Sequence, residues 1–218
     1  MDGSTPDRVP VYTQIPFGLT SGGFKPAAFH GYDDYDNWRE LDPLYWDLVE
    51  RMYKDCDNPF IWRPPCMGTD QFFISPGVMK TAPGVPDGDR LAFTTTADIE
   101  GHQLSQTNAV QPGSGHSWQI EHFCKEPDDA RRLLDHAWVG EKVDIGDFQE
   151  LEAQLGEMGT IWVTIPSPLM AVCRLFDPME FLVYSRTERE LIDRLCAVAQ
   201  ERISGVLDSL LASGVGPV

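Results

Sequence analysis

The stretch His116 to Cys124, HSWQIEHFC, concentrates residues able to do chemistry. Taken at every second position it gives His116, Trp118, Ile120, His122 and Cys124, which a β-strand would set on one face. Two imidazoles and a thiol on one face suggest zinc, and His122-Phe123-Cys124 is an H-x-C pair. A site would also need a third and a fourth ligand, and His116 is the only near candidate. The competing account is a strand with a mixed face, because short motifs match by chance; on this account no metal ligand is assigned. Arg63 and Arg174 each follow an apolar segment, and a guanidinium there can bind an anionic group; surface ion pairing is the plainer alternative. Ser167 stands between Pro166 and Pro168 at the carboxyl end of the run IWVTI. No G-x-S-x-G surrounds it, so it is not a hydrolase nucleophile; it shapes a pocket or forms a rigid turn. Arg63, Ser167 and Arg174 are thus the substrate-binding candidates, and no catalytic residue is assigned. His30, His102 and His136 read as ordinary surface or core histidines. The glycine clusters at 21–23 and 113–115 do not join a strand to a helix and are not phosphate loops.

The elements that must position these residues fall into three parts. Residues 1–40 hold no period, yet Phe17, Phe24, Phe29, Tyr32, Tyr35 and Trp38 argue against plain disorder; they read as an arm lying on the rest of the protein. A helix follows over LDPLYWDLVERMYKDC, with Asp42 as N-cap and Pro43 at N1. PFIW is a short buried strand. From Asp89 to Cys124 the pattern turns to period two, predicting an antiparallel patch that HSWQIEHFC closes. Helical patterns then return. Pro127 sits at the N1 position of EPDDARRLLDHAW. Asp147 and Glu150 stand at capping-box spacing in DFQELEAQLGEMG, with Gly159 beyond its end. TIWVTIPSPL is an unbroken apolar run of the kind buried on both faces of a parallel sheet. DPMEFLVYS is a short capped helix. The longest helix follows, with Thr187 and Glu190 as its capping box and Gly214 at C′. Strand, helix, strand in this order predicts a parallel α/β fold.

The chain has 218 residues, 17 Lys and Arg against 34 Asp and Glu, and a formal net charge of −17. So acidic a surface repels phosphate backbones and anionic lipid, which argues against nucleic acid and membrane as partners. Five cysteines without C-x-x-C spacing do not make a disulfide framework. Reduced thiols, no basic-then-apolar leader and no run of about 18 apolar residues predict a soluble, cytoplasmic protein.

NPFIWRPPCMGTD, HSWQIEHFCKEPDDARRLL, IWVTIPSPLMAVCRLFDPMEFLVY and the segment from Glu190 to Val218 carry a resemblance in pattern and order. Residues 41–218 resemble the amino-terminal half of the uroporphyrinogen decarboxylase superfamily. The resemblance implies α/β architecture: a partial (β/α)8 (TIM) barrel with an irregular N-terminal arm and an antiparallel β patch, lacking the C-terminal part of the barrel. The superfamily contains decarboxylases and cobamide-dependent methyltransferases. The decarboxylases resemble one another in an early arginine-rich segment of the type MRQAGR and in an Asp at the end of the strand that PFIW resembles. Here that strand is followed by Arg63-Pro64-Pro65, with no Asp until Asp70. The resemblance therefore implies a cobamide- or corrinoid-dependent methyltransferase-like enzyme, acting on a small-molecule substrate, with a corrinoid protein as partner and homodimerisation as a further expectation. The alternatives are a lyase of uroporphyrinogen decarboxylase type in porphyrin biosynthesis and a non-catalytic α/β binding domain.

In the methyltransferase branch the zinc ligands, an H-x-C pair and a later Cys, lie in the carboxyl-terminal half of the barrel, which this sequence does not include. No cofactor is therefore expected on this chain, and zinc only if such a half supplies its ligands. A (β/α)8 barrel takes about 250 residues. Three of its strands can be placed here: near Phe60, near Val163 and starting at Val215. A half-barrel would expose two apolar sheet edges, so the expectation is that the natural chain continues past Val218 or that a partner completes the sheet.

Overall fold

Period two over Arg90 to Val110 builds the largest piece of regular structure. In the computed structural model, which describes residues 60–111, 117–156 and 160–216, β4 (Arg90–Ile99) and β5 (His102–Val110) pair antiparallel along their whole length. Glu100 and Gly101 join them, both at positive φ (54° and 85°), the requirement of a two-residue hairpin turn whose twist matches its strands. The Asp98 carboxylate accepts the Gly101 N–H at 2.7 Å and fixes the turn. β2 (Met79–Thr81) and β3 (Val85–Asp87) flank β4, and β6 (Ser117–Glu121) flanks β5, giving an open antiparallel sheet of five strands. One face of it, through Ala97, Ile99 and Leu104, packs into the core.

A second sheet is parallel. β1 (Phe60–Trp62) pairs with β7 (Ile161–Val163), and the Thr164 N–H donates to the Trp62 carbonyl at 2.9 Å to extend the pair. Between them run the antiparallel sheet and two helices, α1 (Pro127–Asp135) and α2 (Gly146–Leu155). After β7 come α3 (Pro168–Cys173), α4 (Pro178–Thr187) and the long α5 (Arg189–Ala212), which packs on α1, α3 and α4 and on the turns after β1. Phe72, Phe73, Ile74, Phe123, Leu175 and Phe176 are fully buried and knit these layers together. The Trp62 and Phe148 rings meet at 5.0 Å between centroids.

The structure is thus α/β, with an open antiparallel sheet and a short parallel pair; two parallel strands do not by themselves define a barrel. Several expectations fall outside the described residues: the arm over 1–40, the helix starting near Asp42, Cys56, His30, His116, the turn at 112–115 and Gly159. Val215, expected to open a third strand, instead completes the helix end. Its N–H donates to the Leu210 carbonyl at 3.0 Å and that of Gly214 (φ 91°) to Leu211 at 3.0 Å, a Schellman motif with Gly214 at C′ as expected.

Other boundaries differ for local reasons. α4 runs through Thr187, whose hydroxyl donates to the Val183 carbonyl at 3.2 Å, and the chain breaks at Glu188 instead. Thr187 therefore caps nothing and its box with Glu190 does not form. α2 starts at Gly146, whose N–H is taken by the Asp144 carboxylate at 2.9 Å. This places Asp147 inside the first turn, where it complements the helix dipole rather than capping. β7 is not buried on both faces: Trp162 is 52% exposed, and the strand borders an apolar groove of about 600 Å³ together with Phe148, Leu207, Leu211 and Val215. Among the described residues β7 pairs on one edge only, with β1, which leaves its other side to the groove. No helix of the described residues is long and apolar enough to cross a membrane.

Candidate functional site

A register shift in β6 decides where the residues of HSWQIEHFC point. Gln119 opposes Asn108 and Glu121 opposes Thr107, so β6 advances two residues where β5 advances one. Ile120 is the extra residue of a β-bulge, and a bulge re-aims the side chains beyond it. Gln119 and Glu121, which strict alternation would put together, go to opposite faces. Glu121 accepts the Thr107 hydroxyl at 2.8 Å on one face. On the other, Gln119 and His122 converge, both reaching the backbone carbonyl of Arg174, at 3.1 Å each. The single face expected for His116, Trp118, Ile120, His122 and Cys124 is therefore not formed by the described members, because the bulge breaks the period. Cys124 lies beyond the strand and makes an isolated parallel bridge to Phe176.

The Gln119 side continues inward. Its amide also donates to Gln106 Oε1 at 2.9 Å, and Gln106 Nε2 donates to Asp70 Oδ2 at 2.7 Å. Gln106 is buried on the core-facing side of β5, two residues from Leu104. Asp70 opens a short 3₁₀ turn, Asp70–Phe72, after β1. Its second oxygen, Oδ1, is enclosed and has no hydrogen-bond partner. Desolvation raises the Asp70 carboxyl above its ordinary value; the hydrogen bond from Gln106, the Arg174 charge, the nearby Thr69 side chain and the His122 ring each pull it back. A carboxyl so placed holds its proton to higher pH than an exposed one and can act as a donor. Buried unsatisfied oxygens are rare and mark sites of strain, water, ligand or catalysis.

Of the three binding candidates, only Arg174 joins this cluster: it is the C-cap of α3, its carbonyl gathers Gln119 and His122, and its exposed guanidinium acts on Asp70. Ser167 is the N-cap of α3, its Oγ accepting the Met170 N–H at 3.1 Å, so its hydroxyl is committed to a helix end. Arg63 is exposed beyond β1 and takes no part in the cluster. Asp70 stands in the sequence as the first Asp after PFIW; Gln106 and Gln119 carried no signal beyond their shared strand face.

Metal ligation fits these residues poorly. Cys124 is buried, and its thiol is pushed well up, first by desolvation and then by the nearby Asp129 charge, with a weaker pull down from Lys125 and a still weaker push up from Asp70. A thiolate, the form a metal binds, is disfavoured there. The Nδ1 of His122 is engaged by the Arg174 carbonyl. Among the described residues no group of three His, Cys, Asp or Glu side chains is placed to hold a metal ion.

The other histidines have structural settings. His102 Nε2 meets Asp129 Oδ1 at 3.0 Å. Asp129, buried at the third position of α1, also accepts the backbone N–H groups of Lys125 and Glu126, at 2.8 and 3.2 Å. It thus anchors both the helix start and the β4–β5 turn. His136, expected on the surface, is half-buried at the end of α1, with an enclosed Nδ1 lacking a partner. No protein-family model, no curated protein and no solved structure matches the chain.

Proposed function

We propose that the chain is an enzyme of the uroporphyrinogen decarboxylase type, its β1–β7 pair belonging to a (β/α)8 barrel, that transfers a methyl group between a small molecule and a cobamide carried by a corrinoid protein. The observation that carries this reading is the cluster of Asp70, Gln106, Gln119, His122 and Arg174. Asp70 comes from the turn after β1 and Arg174 from the end of the helix after β7, while Gln106, Gln119 and His122 come from the antiparallel sheet that lies between those strands in the chain; in barrels of this class the segments after the strands build the site. Within it Gln119 and Gln106 orient, Asp70 holds or releases a proton at Oδ1, and Arg174 supplies positive charge. The cobamide would supply the transferable methyl group, and the residues of this chain would bind and orient the small molecule.

One observation favours decarboxylation as a second reading: an enclosed carboxyl does follow β1, at Asp70, although the chain lacks an early arginine-rich segment. A carboxyl kept neutral is suited to protonating a carbon from which CO₂ has left. The two readings separate in one pair of assays on the purified protein. Methyl transfer appears as conversion of the methylcobalamin spectrum to that of cob(I)alamin under anaerobic conditions with a thiol acceptor. Decarboxylation appears as partly decarboxylated porphyrins after oxidation of a uroporphyrinogen incubation. Turnover of neither sinks the enzyme reading and leaves the non-catalytic binding domain.

A further inference from the structure

Helix α4 is apolar on two sides. Phe181 and Tyr184 pack against the core, where the Tyr184 ring meets Phe176 edge-on at 5.6 Å between centroids. Met179, Leu182 and Val183 lie on the other side, 69%, 60% and 51% exposed, and no residue of the helix is buried. With Arg186 they recur at i, i+3, i+4 and i+7, the spacing of one helical stripe. A helix that is apolar all round is ordinarily covered, and exposed apolar faces mark interaction sites. The two ends of the stripe differ in charge. Glu180 stands in the first turn of α4 and Arg186 in the last, both exposed. Asp177 is spent on the N-cap, its Oδ1 accepting the Met179 N–H at 2.9 Å, so Glu180 and Arg186 are the charges that border the apolar residues.

We propose that the Met179, Leu182 and Val183 face of α4 is a self-association surface, on which two copies of this chain pack α4 against α4, antiparallel, about a two-fold axis between Leu182 and Val183. A two-fold contact must be complementary to itself, and an antiparallel pairing about this point makes it so. α4 runs from Pro178 to Thr187, so its midpoint falls between Leu182 and Val183. With about 1.5 Å of rise per residue, Leu182 of one copy stands level with Val183 of the other. Arg186 stands level with Met179 of the other copy, one residue from its Glu180. The acidic first turn of each copy thereby meets the basic last turn of its mate, twice, and the helix dipoles run in opposite directions. A parallel pairing would instead set Glu180 against Glu180 and Arg186 against Arg186. A net charge of −17 disfavours an anionic lipid surface as the occupant, and a basic partner would meet Arg186 in the stripe itself. One face of a short helix offers less than the roughly 800 Å² that a standard interface takes from each partner, so the dimer is weak, with a Kd of about 10–100 µM. This inference stands apart from the enzyme reading, because association is measured without substrate.

The test is sedimentation velocity of the full chain from about 5 to 500 µM, a range that brackets the expected Kd. The parent is expected to pass from monomer to dimer with rising concentration. Leu182→Lys puts a charge at the centre of the contact and is expected to weaken dimerisation about tenfold or more; Leu182 is exposed in the single chain, so this variant keeps the parent's urea midpoint. Leu211→Lys, at an equally exposed leucine on α5, is expected to leave dimerisation unchanged. Arg186→Glu and Glu180→Arg each set two like-charge pairs across the contact, and each alone is expected to weaken it about fivefold. Mixing these two variants restores both opposite-charge pairs, so the mixture is expected to dimerise more tightly than either variant alone. The inference is overturned if the parent stays monomeric throughout, if Leu182→Lys dimerises like the parent, if Leu211→Lys weakens dimerisation as much as Leu182→Lys does, or if the mixture gains nothing over its components.

Discussion

Gln106→Leu tests whether the buried half of the cluster is a structural unit. Gln106 is 6% exposed and makes two hydrogen bonds, donating to Asp70 at 2.7 Å and accepting from Gln119 at 2.9 Å. Leucine fills a similar volume on the core-facing side of β5 but offers neither. Asp70 then loses the Gln106 bond at Oδ2 while the enclosed Oδ1 already has no partner, so the carboxyl is left poorly satisfied. Leaving a buried acceptor unsatisfied costs about 1–3 kcal/mol, and the lost Gln119 bond about 1 more. Burying a leucine in place of the amide returns about 1 kcal/mol. The net expectation is destabilisation by about 1–3 kcal/mol in urea unfolding at neutral pH, seen as a lower midpoint at unchanged slope. The pair Asp70→Leu with Gln106→Leu removes both ends of the bond. It should be less destabilised than the sum of the single variants by about 1–2 kcal/mol, since replacing both partners leaves nothing unmet. If Gln106→Leu lies within about 0.5 kcal/mol of the parent and the cycle is additive, the contact does not hold the site and the argument from it fails.

Four further outcomes follow from the same geometry. The folded-state carboxyl of Asp70 is raised, so between its ordinary and its raised value the native state holds more protons than the unfolded chain. The associated stability is present below the ordinary carboxyl value and is lost as pH rises through the raised one. Asp70→Asn does not titrate, so urea midpoints across that range should move in the variant's favour with rising pH, and a constant difference would contradict the burial of this carboxyl. Asp129→Ala removes the acceptor of two backbone N–H groups and of His102 and should cost about 2–3 kcal/mol of stability by the same assay; His102→Ala, which leaves the backbone bonds intact, should cost less. Iodoacetamide should alkylate the half-buried Cys173 well before the enclosed Cys124, as read by peptide mass spectrometry. Replacing His122 and Cys124 by Ala should leave zinc content unchanged by elemental analysis; loss of metal would restore the H-x-C site.

Much of the architecture was legible because local rules act there without competition. The β4–β5 hairpin follows from period two. α1 and α4 each begin with a proline at the first position, where its missing N–H costs nothing; α3 does too, but the run TIWVTIPSPL predicts Pro168 and Leu169 as a continuation of the strand. The end of α5 follows from Gly214. The failures sit where two local rules competed. Thr187 could cap α5 or end α4, and the continuing α4 hydrogen bonds won. The run IWVTI carries the apolar content of a doubly covered strand, but burial depends on neighbours that a one-dimensional pattern does not contain.

The candidate site was legible only in its charged members. Arg174 and Asp70 stand out by type, whereas Gln106 and Gln119 are neutral amides on strands, with no chemistry to announce them. Their value lies in contacts that span the chain: Gln106 to Asp70 across 36 residues and Gln119 to Arg174 across 55. The step that joins them is the bulge at Ile120. A period-two reading assumes an unbroken ladder, and under that assumption His116, His122 and Cys124 make a plausible metal face. One extra residue is enough to send His122 to the Gln119 face, leaving Cys124 to the core. The imidazole that looked like half of a metal site thereby becomes part of a polar cluster beside a buried carboxyl, its Nδ1 spent on the Arg174 carbonyl, while the Cys124 thiol is held neutral in the core.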